Sequence, residues 1–87
     1  MKNKRLGVIG IVIKDRKKVN RRLNEILSDF GDIIIGRMGV PSQEHKLCVI
    51  SLIVEGTSDD IGAMTGKVGN LEGINLKSAL TSVVIEE

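Results

Sequence analysis

Aromatic side chains are almost absent from this 87-residue chain, which has no Trp, no Tyr and a single Phe, Phe30. Single-stranded nucleic-acid binders of the RNA-recognition type stack bases on exposed rings. A chain with one ring has no such platform. The same scarcity dictates the core: hydrophobic residues make up 41% of the chain but aromatics only 1%, so the interior must be built from Ile, Val and Leu. One Cys, Cys48, cannot form an internal disulfide, which suits a reducing cytosol. No constellation of nucleophile, base and acid stands anywhere in the chain. No apolar run is long enough to span a bilayer. The basic N-terminus closes at Lys14 to Lys18 without a small-residue cleavage site, so the sequence reads as soluble and cytoplasmic.

What is present is a small domain with an uneven charge distribution. The length fits one domain covering residues 1–87, with a core that is real but thin, and such domains often gain stability by oligomerising. Net charge is +2, yet residues 1–22 carry nine of the 13 Lys and Arg and one of the 11 acids. That asymmetry can mark nucleic-acid binding. It also fits a solvated basic face, or opposite ends of identical subunits that complement each other.

The central stretch, residues 33–55, predicts two apolar strands joined by a turn at Pro41-Ser42-Gln43-Glu44-His45. Before it, RLGVIGIVI at residues 5–13 predicts a first strand. Asp15 can cap a helix over residues 16–30, whose Val19, Leu23, Ile26, Leu27 and Phe30 recur on one stripe. Gly31 is expected as a left-handed stop. Thr57, with Asp60 three residues on, predicts the start of a second helix, with Ile61, Met64, Thr65, Val68 and Leu71 as its buried stripe. A last strand is expected over residues 74–85.

The order β-α-β-β-α-β has one compact solution under right-handed crossovers: a four-stranded antiparallel sheet in order 4-1-3-2 with both helices on one face, the ferredoxin-like α+β arrangement. Helices cover one side of such a sheet, but the first and third strands are apolar on both. A second face of that kind predicts a homo-oligomer, a dimer or tetramer, with a flat hydrophobic ligand platform in a monomer as the alternative, and Ile9, Ile11, Ile13, Leu47, Val49 and Ile53 are the expected interface.

From Gly36 to Thr81, the stretch GRMGVPSQEHKLCVISLIVEGTSDDIGAMTGKVGNLEGINLKSALT resembles the ACT-like family described as regulators of the iron-only hydrogenase system. The likeness extends back to the VIGIVIKDR opening. It implies a stand-alone, non-enzymatic regulatory domain without a cofactor, acting by sensing a small molecule or docking a protein of the hydrogenase system. The same stretch is similar to the C-terminal domain of the nickel-responsive transcription regulator. There, two histidines occupy alternate positions of the second strand; here those positions are Gly39 and Pro41, and His45 and Cys48 fall out of register. The likeness implies the scaffold without its nickel site.

ACT domains open their first helix with an Asp-Arg-Pro-Gly-Val type loop. Asp15-Arg16-Lys17-Lys18-Val19 matches its Asp, Arg and Val but places Lys where Pro and Gly would stand, which changes the close backbone approach to a ligand. The cationic cluster Arg16, Lys17, Lys18, Arg21 and Arg22 opposes the dipole of its own helix. A bound anion would relieve that repulsion, and Asp15, Arg16, Lys18 and Arg22 are the expected ligand-binding residues. Gly62, Gly66, Gly69 and Gly73 run along the second helix, where close packing of a helix or subunit, or approach to a small ligand, would offset their cost. His45 and Cys48 are too few to hold a metal within one chain. Two other functions fit parts of the chain. Phosphate contacts from the basic N-terminal face would bind nucleic acid with a steep salt dependence. An acylphosphatase would use Arg16, although its Gly-rich loop and Asn are missing.

Overall fold

Alternation along the first strand decides the layering. The computed structural model describes the backbone of residues 3–14, 16–42 and 44–86, and the side chains of these except 16–18 and 86. In β1 (Asn3–Ile13), Ile9, Ile11 and Ile13 are at most 1% exposed, whereas Val8 and Gly10 face outward. The chain continues through α1 (Arg16–Asp29), a 3-10 turn (Gly31–Ile33), β2 (Ile34–Ser42), β3 (Leu47–Gly56), α2 (Ser58–Gly69) and β4 (Ile74–Glu86). The sheet order is β2-β3-β1-β4 with every neighbouring pair antiparallel. This is the expected ferredoxin-like order read from the opposite edge.

Both helices pack on the face formed by Ile9, Ile11 and Ile13 together with Ile50, Leu52 and Val54. From α1 come Val19, Leu23, Ile26 and Leu27, and from α2 come Ile61, Met64 and Val68, all buried. Phe30 is half-buried, and the Lys67 ammonium lies 5.4 Å from its ring centroid, a cation-π contact that ties the end of α1 to α2. The N-terminus of α2 is capped as its sequence predicts: Thr57 Oγ1 accepts from the Asp60 N–H at 3.1 Å. Asp59 and Asp60 in its first turn and Lys67 in its last suit the helix dipole. The expected Asp15 cap of α1 lies outside the described residues.

Three local expectations change. Gly31 is not left-handed: α1 runs on into the 3-10 turn, where the Ile33 N–H reaches the Phe30 carbonyl at 3.1 Å. Tightening to i→i+3 bonds satisfies the helix end without reversing the chain, and it delivers Ile33 to the core. The positive φ that a glycine supplies falls instead at Gly73, 79°, between α2 and β4. The hairpin turn is also shorter than expected, because Pro41 and Ser42 stay in β2, opposite Cys48 and Leu47. An edge strand tolerates a proline because one side of it needs no donors. Finally, space is open around the positions a Cβ would take at Gly62, Gly66 and Gly69, so none of the described residues packs closely against that flank.

Candidate functional site

The register brings aliphatic side chains from three strands onto the face that carries no helix. Gly36, Ile53, Val8 and Ala79 form one row across the sheet; Met38, Ser51, Gly10 and Lys77 form the next; Val40, Val49, Val12 and Asn75 form a third. Within these rows Val8 is 48% exposed, Met38 64%, Val40 52%, Val49 43% and Ile53 48%. An antiparallel sheet with one solvated face normally alternates apolar in and polar out. Here the outward set is Val, Ile and Met, with Ser51 at the centre and Lys77 and Asn75 along the β4 side.

This placement corrects the expected interface. Ile9, Ile11 and Ile13 pair across the ladder with Leu52, Ile50 and Cys48 and belong to the intramolecular core. They point at the helices and cannot meet a partner. Leu47, Val49 and Ile53 lie on the other face, with Leu47 half-buried. The outward residues of β1 are Val8 and Val12, because β1 and β3 keep strict alternation and only the even-numbered positions of β1 share a side with 49 and 53.

The cationic start of α1 has no acidic residue in its first turn. Asp15 and the side chains of Arg16 and Lys18 lie outside the described residues. Arg22 is exposed, and its Nη1 donates to Glu25 Oε2 at 3.1 Å. Arg21 Nε lies 3.6 Å from the other Glu25 oxygen. One carboxylate thus serves two guanidinium groups, leaving an excess of positive charge.

His45 is exposed in the turn, while Cys48 is half-buried and packs against the core. Among the described residues no three His, Cys, Asp or Glu side chains converge on a common point. Nor is any described helix long and apolar enough to cross a membrane.

A feature that sequence reasoning missed lies at the start of β2. Ile34 pairs with Val54 and Gly36 with Ile53, so Ile35 is an extra residue, a β-bulge. Beyond it Arg37 stands opposite Leu52, on the helix side, and its Nη2 donates to Asn24 Oδ1 of α1 at 3.2 Å. A groove of about 360 Å³ opens there, lined by Asn24, Leu27, Ser28, Gly31, Ile34 and Arg37. The glycine inside an otherwise apolar strand was the available signal.

No curated protein matches the chain. Among solved structures, an uncharacterised protein from Thermotoga maritima, TM1266, shares 36% identity over 88% of this chain and 96% of its own, with a TM-score of 0.85. A PII-like signalling protein from Thermus thermophilus superposes with a TM-score of 0.63 at 15% identity, covering 98% of this chain and 92% of its own. An ACT domain protein from Streptococcus pneumoniae does so with a TM-score of 0.53 at 9% identity, covering 87% and 89%. At these identities the last two relationships concern the fold alone. The model of one family, described as "TM1266-like: Iron-only hydrogenase system regulator, putative", matches residues 5–78. With most of its length matched and a 36% identical relative covered over 96% of its own length, the chain belongs to the TM1266-like family, whose description is that of an iron-only hydrogenase system regulator.

Proposed function

We propose that this protein is a non-enzymatic regulatory domain of the iron-only hydrogenase system that assembles with its own copies through the open face of the sheet. The observation that carries this reading is the contiguous set Val8, Met38, Val40, Val49 and Ile53, each between 43% and 64% exposed. Left in water, such a surface is on the order of the largest apolar patch a monomer tolerates, a few hundred Å². Two copies stacked face to face would dry it, as in the aligned packing of paired sheets. The symmetry is economical, since one patch serves both partners.

Regulation requires an input. The concentration of Lys and Arg that the sequence places around the start of α1, with Asp15, Arg16, Lys18 and Arg22, suits a small anionic ligand or an acidic surface of a hydrogenase-system protein. An anion there would relieve the repulsion between these cations and the helix dipole.

Native mass spectrometry of the purified protein tests both parts, because it reads subunit number and retained ligand together. A dimer or tetramer carrying extra mass supports assembly and sensing, and the added mass gives the ligand class. A bare oligomer supports assembly with docking. A bare monomer at micromolar concentration overturns assembly through the sheet.

A further inference from the structure

We propose that the groove between α1 and the edge strand β2 binds a small monocarboxylate with a branched aliphatic body, held by Arg37. The bulge at Ile35 is the first reason. Without the extra residue, strict alternation from Ile34 would turn position 37 onto the open aliphatic face. The observed pairing of Arg37 with Leu52 turns it toward the helices instead. Bulges re-aim side chains in this way and are over-represented beside functional sites.

The second reason is what Arg37 meets there. A guanidinium carries five N–H donors in a planar fork; here one is engaged, by Asn24 Oδ1 at 3.2 Å. Among the described residues no carboxylate pairs with Arg37. The donors that Asn24 does not engage are enough to receive two carboxylate oxygens at once.

The walls define the rest of the ligand. Leu27, buried, and Ile34, half-buried, supply hydrocarbon at the groove, which Ser28 also lines. An adjoining hollow shares Asn24 and Ser28 and is also lined by Arg21, Glu25 and Asp29, with Arg21 beside the Glu25 carboxylate. Arg37 is the one charged side chain among those that line the groove itself, which suits a ligand carrying a single negative charge. The hollow, about 360 Å³, is largely open to solvent, so it would cover one side of a small ligand.

The site is distinct from the α1 start considered above, and an NMR titration of the ¹⁵N-labelled protein tests it separately. Isovalerate is the probe, with isovaleramide as its uncharged counterpart and inorganic phosphate as a different anion. The expected result is saturable displacement of the Ser28, Gly31 and Ile34 amides and of the Arg37 Nε–H by isovalerate. Binding should weaken about tenfold or more when the charge is removed from either side, by isovaleramide or by Arg37→Gln. Arg37 is exposed, so the variant keeps its fold, and its unperturbed spectrum elsewhere verifies this. Equal response to isovaleramide or to phosphate overturns the ligand class. Displacements confined to residues 19–22, or none that saturate by about 10 mM, ten times a Kd of about 1 mM, overturn the site itself while leaving assembly through the sheet untouched.

Discussion

Val8 and Ile53 stand directly opposite each other on β1 and β3, and each leaves 48% of its surface in water in the single chain. Cross-strand aliphatic pairs of this kind stabilise a sheet most when something covers them. On the reverse side of the same two strands, Ile9 and Leu52 also oppose each other and are fully buried by the helices. One ladder therefore carries two apolar faces, one of which is satisfied within the chain.

A charge placed on the open face should separate subunits without unfolding them. Val49→Lys adds an ammonium at the centre of the third row, where the present residue is 43% exposed and the folded monomer has room for it. Sedimentation velocity should show the variant as a single 9.4 kDa chain, with its circular dichroism unchanged. A wild-type protein that already sediments as a monomer would remove the basis for the assembly.

Truncation on the closed face should behave differently. Ile11 is 0% exposed, so Ile11→Ala leaves a cavity and costs about 2–5 kcal/mol. Thermal unfolding should shift downward by roughly 10–25 °C for a domain of this size. An effect confined to subunit number would mean that Ile11 serves an interface after all.

Glycine to alanine should change sign between two positions. A Cβ at Gly7 would come within 2.6 Å of Leu80 Cδ2 and 2.9 Å of the Ala79 carbonyl oxygen. Because one of these is backbone, β1 and β4 must move apart, and Gly7→Ala should lower the unfolding midpoint. Gly66 lies inside α2 with open space around its Cβ position. There Gly66→Ala should raise stability by about 0.5–1 kcal/mol through its helix preference. Urea unfolding of the two variants side by side reads both signs. A destabilised Gly66→Ala would indicate that another subunit packs on that flank.

Removing the cap of α2 should cost less than opening the core. Thr57→Ala deletes the oxygen that accepts from the Asp60 N–H, worth about 1 kcal/mol. Hydrogen exchange should quicken first in residues 58–61. Unchanged exchange there would show that water replaces the hydroxyl at no cost.

Most of the scaffold was legible because its signals are local. The 3.6-residue stripe from Val19 to Leu27 and the Thr57 cap each identify an element by spacing alone. The phase of β1 was not legible, since RLGVIGIVI is apolar at both odd and even positions and period-2 alternation has nothing to contrast. Only the cross-strand register, which no single segment contains, assigns Ile9 to the core and Val8 to the outside. The groove at Arg37 was hidden for a related reason. Its two walls are 13 residues apart at Asn24 and Arg37, and a single inserted residue at Ile35 decides which way the guanidinium turns.

The longest ladder of the sheet has one more consequence. β1 begins at Asn3 opposite Glu86, the last residue of β4, so these two strand ends lie side by side at one end of the sheet. Two short linkers at that end would suffice to splice the whole unit into a surface loop of a host protein. Conversely, joining the strand ends and reopening the chain at the exposed turn around His45 should yield a permuted protein with the same sheet. In such a permutant β2 would become the last strand of the chain and β3 the first, which would show whether the hairpin has to form early for the rest to fold.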